Sequence, residues 1–143
     1  MAIIPFTIRE LKKASIEGNV ASSSSAKRNN HQLLLLFYAV ECGLKTIILK
    51  NANKSVIDKD VASGLAHDIN GILSKLRVSK EYFLPQDMSI SNIKSEDGET
   101  IQRKFSCGEL NQVWRYGASM DAATTKILEE KLVSLMDWIQ QEI

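Results

Sequence analysis

Scarcity marks this chain first. Its two cysteines, Cys42 and Cys107, have no metal-ligand spacing and make no disulfide framework. Only two histidines are present, His31 and His67. No glycine-rich phosphate loop, metal cluster or Ser/His/Asp constellation appears. Neither a cofactor nor a metal is therefore expected. The first residues lack a basic region followed by an apolar core and a small-residue cleavage site, so no secretory signal is expected. The longest uninterrupted apolar run, Leu33 to Val40, is too short to span a bilayer, and no membrane partner is expected. A reducing cytoplasm is the natural compartment.

No charge sign dominates, since the net charge is +1. Its distribution is uneven. Residues 1–80 hold 12 basic and 6 acidic side chains, a balance of +6. Residues 81–143 hold 6 basic and 11 acidic, a balance of −5. Such halves can attract within the fold or across a dimer, or the basic half can face an anion. The ordinary reading is solvated faces.

What is present is helical patterning. Asn29 to Lys50 is long enough for six turns and apolar nearly all round. Glu41 and Lys45 interrupt it, four apart and able to pair. An apolar helix with one charged pair belongs at the centre of a bundle. Before it, Thr7 and Glu10 form a capping box, with Phe6 and Leu11 as its staple. The helix they open is expected to run to about Lys27. Ala14, Gly18, Ala21, Ser22 and Ser25 give it a stripe of small residues. The alternative is a break at Gly18-Asn19 and a serine linker.

Asn51 to Asn53 ends the central helix. Residues 55–64 read as a short helix or loop. A helix is expected from His67-Asp68 to about Arg77, with Ile69, Ile72, Leu73 and Leu76 inward. Alternating segments around Asp97-Gly98 predict a β-hairpin or loop excursion at residues 88–105. Ser106 and Glu109 repeat the capping box, with Phe105 and Leu110 as staple, and Gly117 stops or bends that helix. Ser119 or Asp121 caps the last helix, lined by Leu128, Leu132, Leu135, Ile139 and Ile143 and broadened by Ile127, Met136 and Trp138. The expected fold class is all-α: one domain over 1–143, an up-and-down bundle of four or five helices.

Three segments together resemble the HEPN superfamily. They are Tyr38-Ala39-Val40-Glu41-Cys42-Gly43-Leu44-Lys45, then His67-Asp68-Ile69, then Arg115-Tyr116-Gly117 before the last helix with its Leu135-Met136-Asp137-Trp138-Ile139 run. The resemblance implies a helical module of toxin–antitoxin or phage-defence systems. Its partners would be a second copy, a nucleotidyltransferase or a defence effector, and RNA. Ribonucleases of that superfamily carry an Arg-x4-6-His motif. Here Arg28 precedes His31 by only three, and no histidine follows Arg115. The resemblance thus implies a non-catalytic member acting through protein contacts, with a divergent ribonuclease or an RNA or nucleotide binder as alternatives.

The candidate site residues follow. Trp114-Arg115-Tyr116 can stack on a base and hold a phosphate, or be a core tryptophan, a salt-bridged arginine and an interface tyrosine. Arg28 and His31, with Lys27 and Asn30, can hold an anion at a helix start, or simply cap it. His67 can cap, pack, or act as ligand or acid–base. For a divergent ribonuclease the catalytic candidates are Arg115 with His67 or Tyr116. The contact reading rests on the small stripe of the first helix and the wide apolar face of the last, which suit a homodimer.

Overall fold

The computed structural model describes residues 5–24, 27–57 and 67–143. The chain is mostly helical. Among the described residues are the helices α1 (Ile8–Ser22), α2 (Asn30–Asn51), α3 (Ile69–Lys75), α4 (Leu110–Arg115) and α5 (Ala122–Glu142). Four short strands, β1 (Phe6–Thr7), β2 (Val56–Ile57), β3 (Met88–Lys94) and β4 (Thr100–Phe105), form two antiparallel pairs.

The capping box of α1 is in place. Glu10 N–H donates to Thr7 Oγ1 at 3.1 Å, and Thr7 N–H donates to Glu10 Oε1 at 3.0 Å. The helix crosses Gly18-Asn19 unbroken but stops at Ser22, earlier than the expected end near Lys27. Only half of the small stripe is used as expected. Ala14 and Ala21 face solvent, while Ser15 and Ser22 are buried. Ser15 Oγ donates to the Ala39 carbonyl at 2.8 Å. A Cβ on Gly18 would lie 3.2 Å from that of Ala39. The stripe thus serves α1 against α2. Ser25 lies outside the described residues.

A capping box at Asn29 and Gln32, not anticipated, starts α2. Asn53 ends it at φ 56°, with Lys54 N–H returning to the Leu49 carbonyl. By length and composition α2 could cross a membrane, but it lies mostly buried as the bundle's central helix. It contacts α1, α3, α4 and α5. At Gly43 an added Cβ would stand 2.6 Å from Ile139 and 2.8 Å from Ser15 Oγ. That closeness to both α1 and α5 requires glycine.

Residues 55–64 were expected to be a helix or loop. Instead Val56 and Ile57 pair with Thr7 and Phe6 as strand. Two-residue strands carry too little period to be read, and the remaining residues, 58–64, lie outside the described set. Asp68, not His67, caps α3, and Arg77 ends it at φ 57°. Ile69, Ile72 and Leu73 are fully buried. The expected hairpin is present, with Gly98 at φ 84° in its turn and a register shift between Ile90 and Ile93. Glu109 reaches back to the Ser106 amide at 3.0 Å and opens a 3₁₀ turn, Cys107–Glu109, ahead of α4.

Asp121 caps α5. Leu128, Leu132, Leu135, Met136 and Ile139 enter the core, but Ile127 points outward. Their neighbours are core residues of the same chain, so the wide apolar face of α5 is already covered. Across the two charge halves, Arg28 pairs with Glu129 at 2.8 Å. Lys50 donates to the Glu142 carbonyl and Lys12 to that of Ile143, where the negative end of α5 favours cations.

Candidate functional site

Three elements converge on one face of α2. Tyr38, Glu41 and Lys45 stand at i, i+3 and i+7, so the helix sets them in a row. His67 arrives from the start of α3, and Asn111 and Arg115 from one face of α4.

Glu41 is the buried anchor. Its carboxylate takes Lys45 Nζ at 3.2 Å on one oxygen and His67 Nδ1 at 2.6 Å on the other. A carboxylate accepts, so Nδ1 donates, and in the neutral ring Nε2 is the acceptor. Nε2 has no partner among the described residues, and the His67 side chain is 45% exposed. The Lys45–Glu41 pair was expected from spacing. The second partner of Glu41 was not.

The His67 ring lies tilted against Tyr38, with centroids 5.9 Å apart. On the same tyrosine, the Arg115 guanidinium sits 5.8 Å from the ring centroid and donates from Nη2 to the hydroxyl. The hydroxyls of Tyr38, first, and of Tyr116 raise the pKa of Arg115 above its already high ordinary value. Its charge is therefore permanent. Asn111 Nδ2 reaches the Tyr38 hydroxyl at 3.5 Å, while its Oδ1, buried, has no partner.

Arg115 and His67 therefore converge on Tyr38, a residue that sequence reading quoted in a motif but did not select for the site. The available signal was two polar side chains and a tyrosine at helical spacing inside an apolar helix. The arrangement can do two things. An exposed guanidinium can hold a phosphate, and a carboxylate-held imidazole can accept a proton beside it.

Other candidates fall elsewhere. Trp114 is 1% exposed and packs edge-on against Phe37 at 6.3 Å. It is a core side chain and cannot flank a ligand with Tyr116, which is 74% exposed. Arg28 is spent on Glu129, beside a groove of about 380 Å³ that also includes Lys27, Asn30 and Lys126. His31 is exposed and does not line that groove. Asn30 donates to the Ala118 carbonyl at 3.1 Å. The expected Arg28–His31 cluster is thus not assembled, because consecutive residues at a helix start point in different directions.

Cys107, beside this site, is structural. Its thiol donates to Asp68 Oδ1 at 3.1 Å. Burial first, then its hydrogen bond to Asp68 and that carboxylate's charge, push it up to about 12, against the opposing Asn70 and Ile69 amides. Comparison of the chain with protein-family models, curated proteins and solved structures finds no match.

Proposed function

We propose that this chain is a HEPN-like helical module, an up-and-down bundle around α2, that binds RNA phosphate at the Tyr38–Glu41–His67–Arg115 cluster. The observation that carries it is the junction of Arg115 and His67 on Tyr38. A permanent cation held by a tyrosine hydroxyl is oriented before ligand arrives, which lowers the ordering cost of binding. The setting this reading implies is a cytoplasmic toxin–antitoxin or phage-defence system.

The protein-contact reading keeps only part of the two faces that suggested it. Gly18 of the small stripe packs on α2 while Ala14 and Ala21 face solvent, and the apolar face of α5 apart from Ile127 lies in the core. A homodimer would rest instead on exposed Ile16 and Val20 of α1.

The test is RNA binding followed against salt. Phosphate contacts release counterions, so affinity should fall as salt rises. Arg115→Ala should abolish the effect. Binding indifferent to both salt and this substitution would reject the reading.

A second reading, cleavage, is favoured by a carboxylate-held His67 whose Nε2 has no partner among the described residues. Nε2 would take the proton of a ribose 2′-hydroxyl as that oxygen attacks phosphorus. The bond to the 5′-oxygen breaks, water protonates it, and a 2′,3′-cyclic phosphate remains. Incubation with mixed RNA, repeated with His67→Ala, decides. Intact RNA, or cleavage unaffected by the substitution, leaves binding alone.

A further inference from the structure

Resting on the RNA-binding reading, we infer that the ligand is single-stranded and continues from Arg115 into the groove between the β3–β4 hairpin and α4. One base would stack on Tyr116, and the next phosphate would lie on Arg103. Tyr116 directly follows Arg115, and its ring stands largely bare to water at a groove of about 570 Å³. That size lies within the range of small-molecule sites. Gly117 at φ 73° turns the chain there, and Ala118 N–H closes on the Val113 carbonyl. The turn fixes Tyr116 at the rim.

The opposite wall belongs to β4. Arg103 is steadied by its Nε, which donates to the Ser91 carbonyl at 2.7 Å across the irregular part of the hairpin. The facing carboxylate, Glu109, already accepts the Ser106 amide at 3.0 Å. Arg103 therefore stands across the groove from one hydrogen-bonded carboxylate, with Tyr116 at the rim. Backbone-tracking charge beside a stacking ring is what a single strand needs. A duplex hides its base faces, and an acidic peptide has no base to use Tyr116.

The experiment measures anisotropy of a labelled six-nucleotide single-stranded RNA, with unlabelled uridine monophosphate as competitor. Tyr116→Ala should weaken the hexanucleotide roughly tenfold or more and the mononucleotide no more than Tyr116→Phe does. Tyr116→Phe should keep most of the affinity, because it keeps the ring and loses only the hydroxyl's contact with Arg115. Arg103→Ala should flatten the salt slope by about 0.7. Tyr116 is exposed and Arg103 lies outside the core cluster, so the fold should hold in both variants. An unchanged hexanucleotide affinity for Tyr116→Ala would overturn the inference. So would a duplex of equal length binding as tightly, or polyglutamate displacing the RNA as well as unlabelled RNA does. If Arg115→Ala still abolishes binding in those cases, the phosphate site stands and only its extension falls. If Arg115→Ala also has no effect, both fall.

Discussion

His67 Nδ1 lies 2.6 Å from Glu41 Oε1, and the Glu41 side chain is 7% exposed. A buried carboxylate is tolerated because Lys45 takes its other oxygen. Removing it leaves Lys45, itself mostly buried, without compensation. Glu41→Ala should cost about 3 kcal/mol of stability, at the low end for a broken buried pair because Lys45 can reach water. His67→Ala, on a half-exposed side chain, should cost far less. Urea unfolding of both variants checks the order.

Tyr38→Phe keeps the ring contacts to His67 and Phe37 but removes the hydroxyl that receives Arg115. The fold should hold, with a thermal midpoint within a few degrees. RNA affinity should drop severalfold, because Arg115 is still charged but no longer positioned. An unchanged affinity would mean that Arg115 needs no partner on α2.

Gly43→Ala is expected to be among the most damaging small substitutions. Its methyl would enter space held by Ile139 of α5 and Ser15 of α1. Overpacking of this kind costs roughly 1–3 kcal/mol. Denaturant melts check the loss, and Ile139→Val should not rescue it, because valine keeps the Cγ2 that stands 2.6 Å from the added methyl.

Asn70 donates to the Leu84 carbonyl and accepts from the Leu84 amide, both at 2.8 Å in buried surroundings. It substitutes for a missing strand partner. Asn70→Leu leaves a buried donor and a buried acceptor of Leu84 unpaired, at about 2–4 kcal/mol. Asn70→Asp should also destabilise, since it turns a donor toward the carbonyl into an acceptor. Thermal unfolding distinguishes these from a neutral site.

Cys107 should resist alkylation in the folded protein at pH 8, because the thiolate is the reactive form and its thiol is pushed up to about 12. The folded state keeps this proton at a pH where the unfolded chain has released it. Its contribution is complete below about 9 and disappears as pH climbs toward 12. Cys107→Ser should remove part of that alkaline loss. Mass-detected labelling with and without urea tests the reactivity.

Long elements were legible because they carry many periods. The row Leu128, Leu132, Leu135, Ile139 reads as one buried face and is one. Caps were legible where a side chain and its partner stand three apart, as at Thr7–Glu10. The β1–β2 pair was not, because two residues hold no pattern and the partners are fifty positions apart. Within the site, Glu41–Lys45 could be read because helical spacing is local. The Glu41–His67 and Tyr38–Arg115 contacts span 26 and 77 positions, and only packing sets such distances. Trp114, Arg115 and Tyr116 illustrate the same limit. Adjacent residues on a short helix differ by about 100° in direction, so the first enters the core and the third meets water.

The small ribbon of β1 and β2 changes how α1 can come loose. It joins the chain just before α1 to the chain just after α2, at the end of that helix pair opposite their connecting turn. The pair is thereby clasped at both ends, by covalent chain on one side and by strand pairing on the other. Peeling of α1 must begin from its serine-rich end. Amides near Ile8 should then exchange with solvent more slowly than those near Ser22, reversing the usual expectation that the outermost end of a leading helix loosens first.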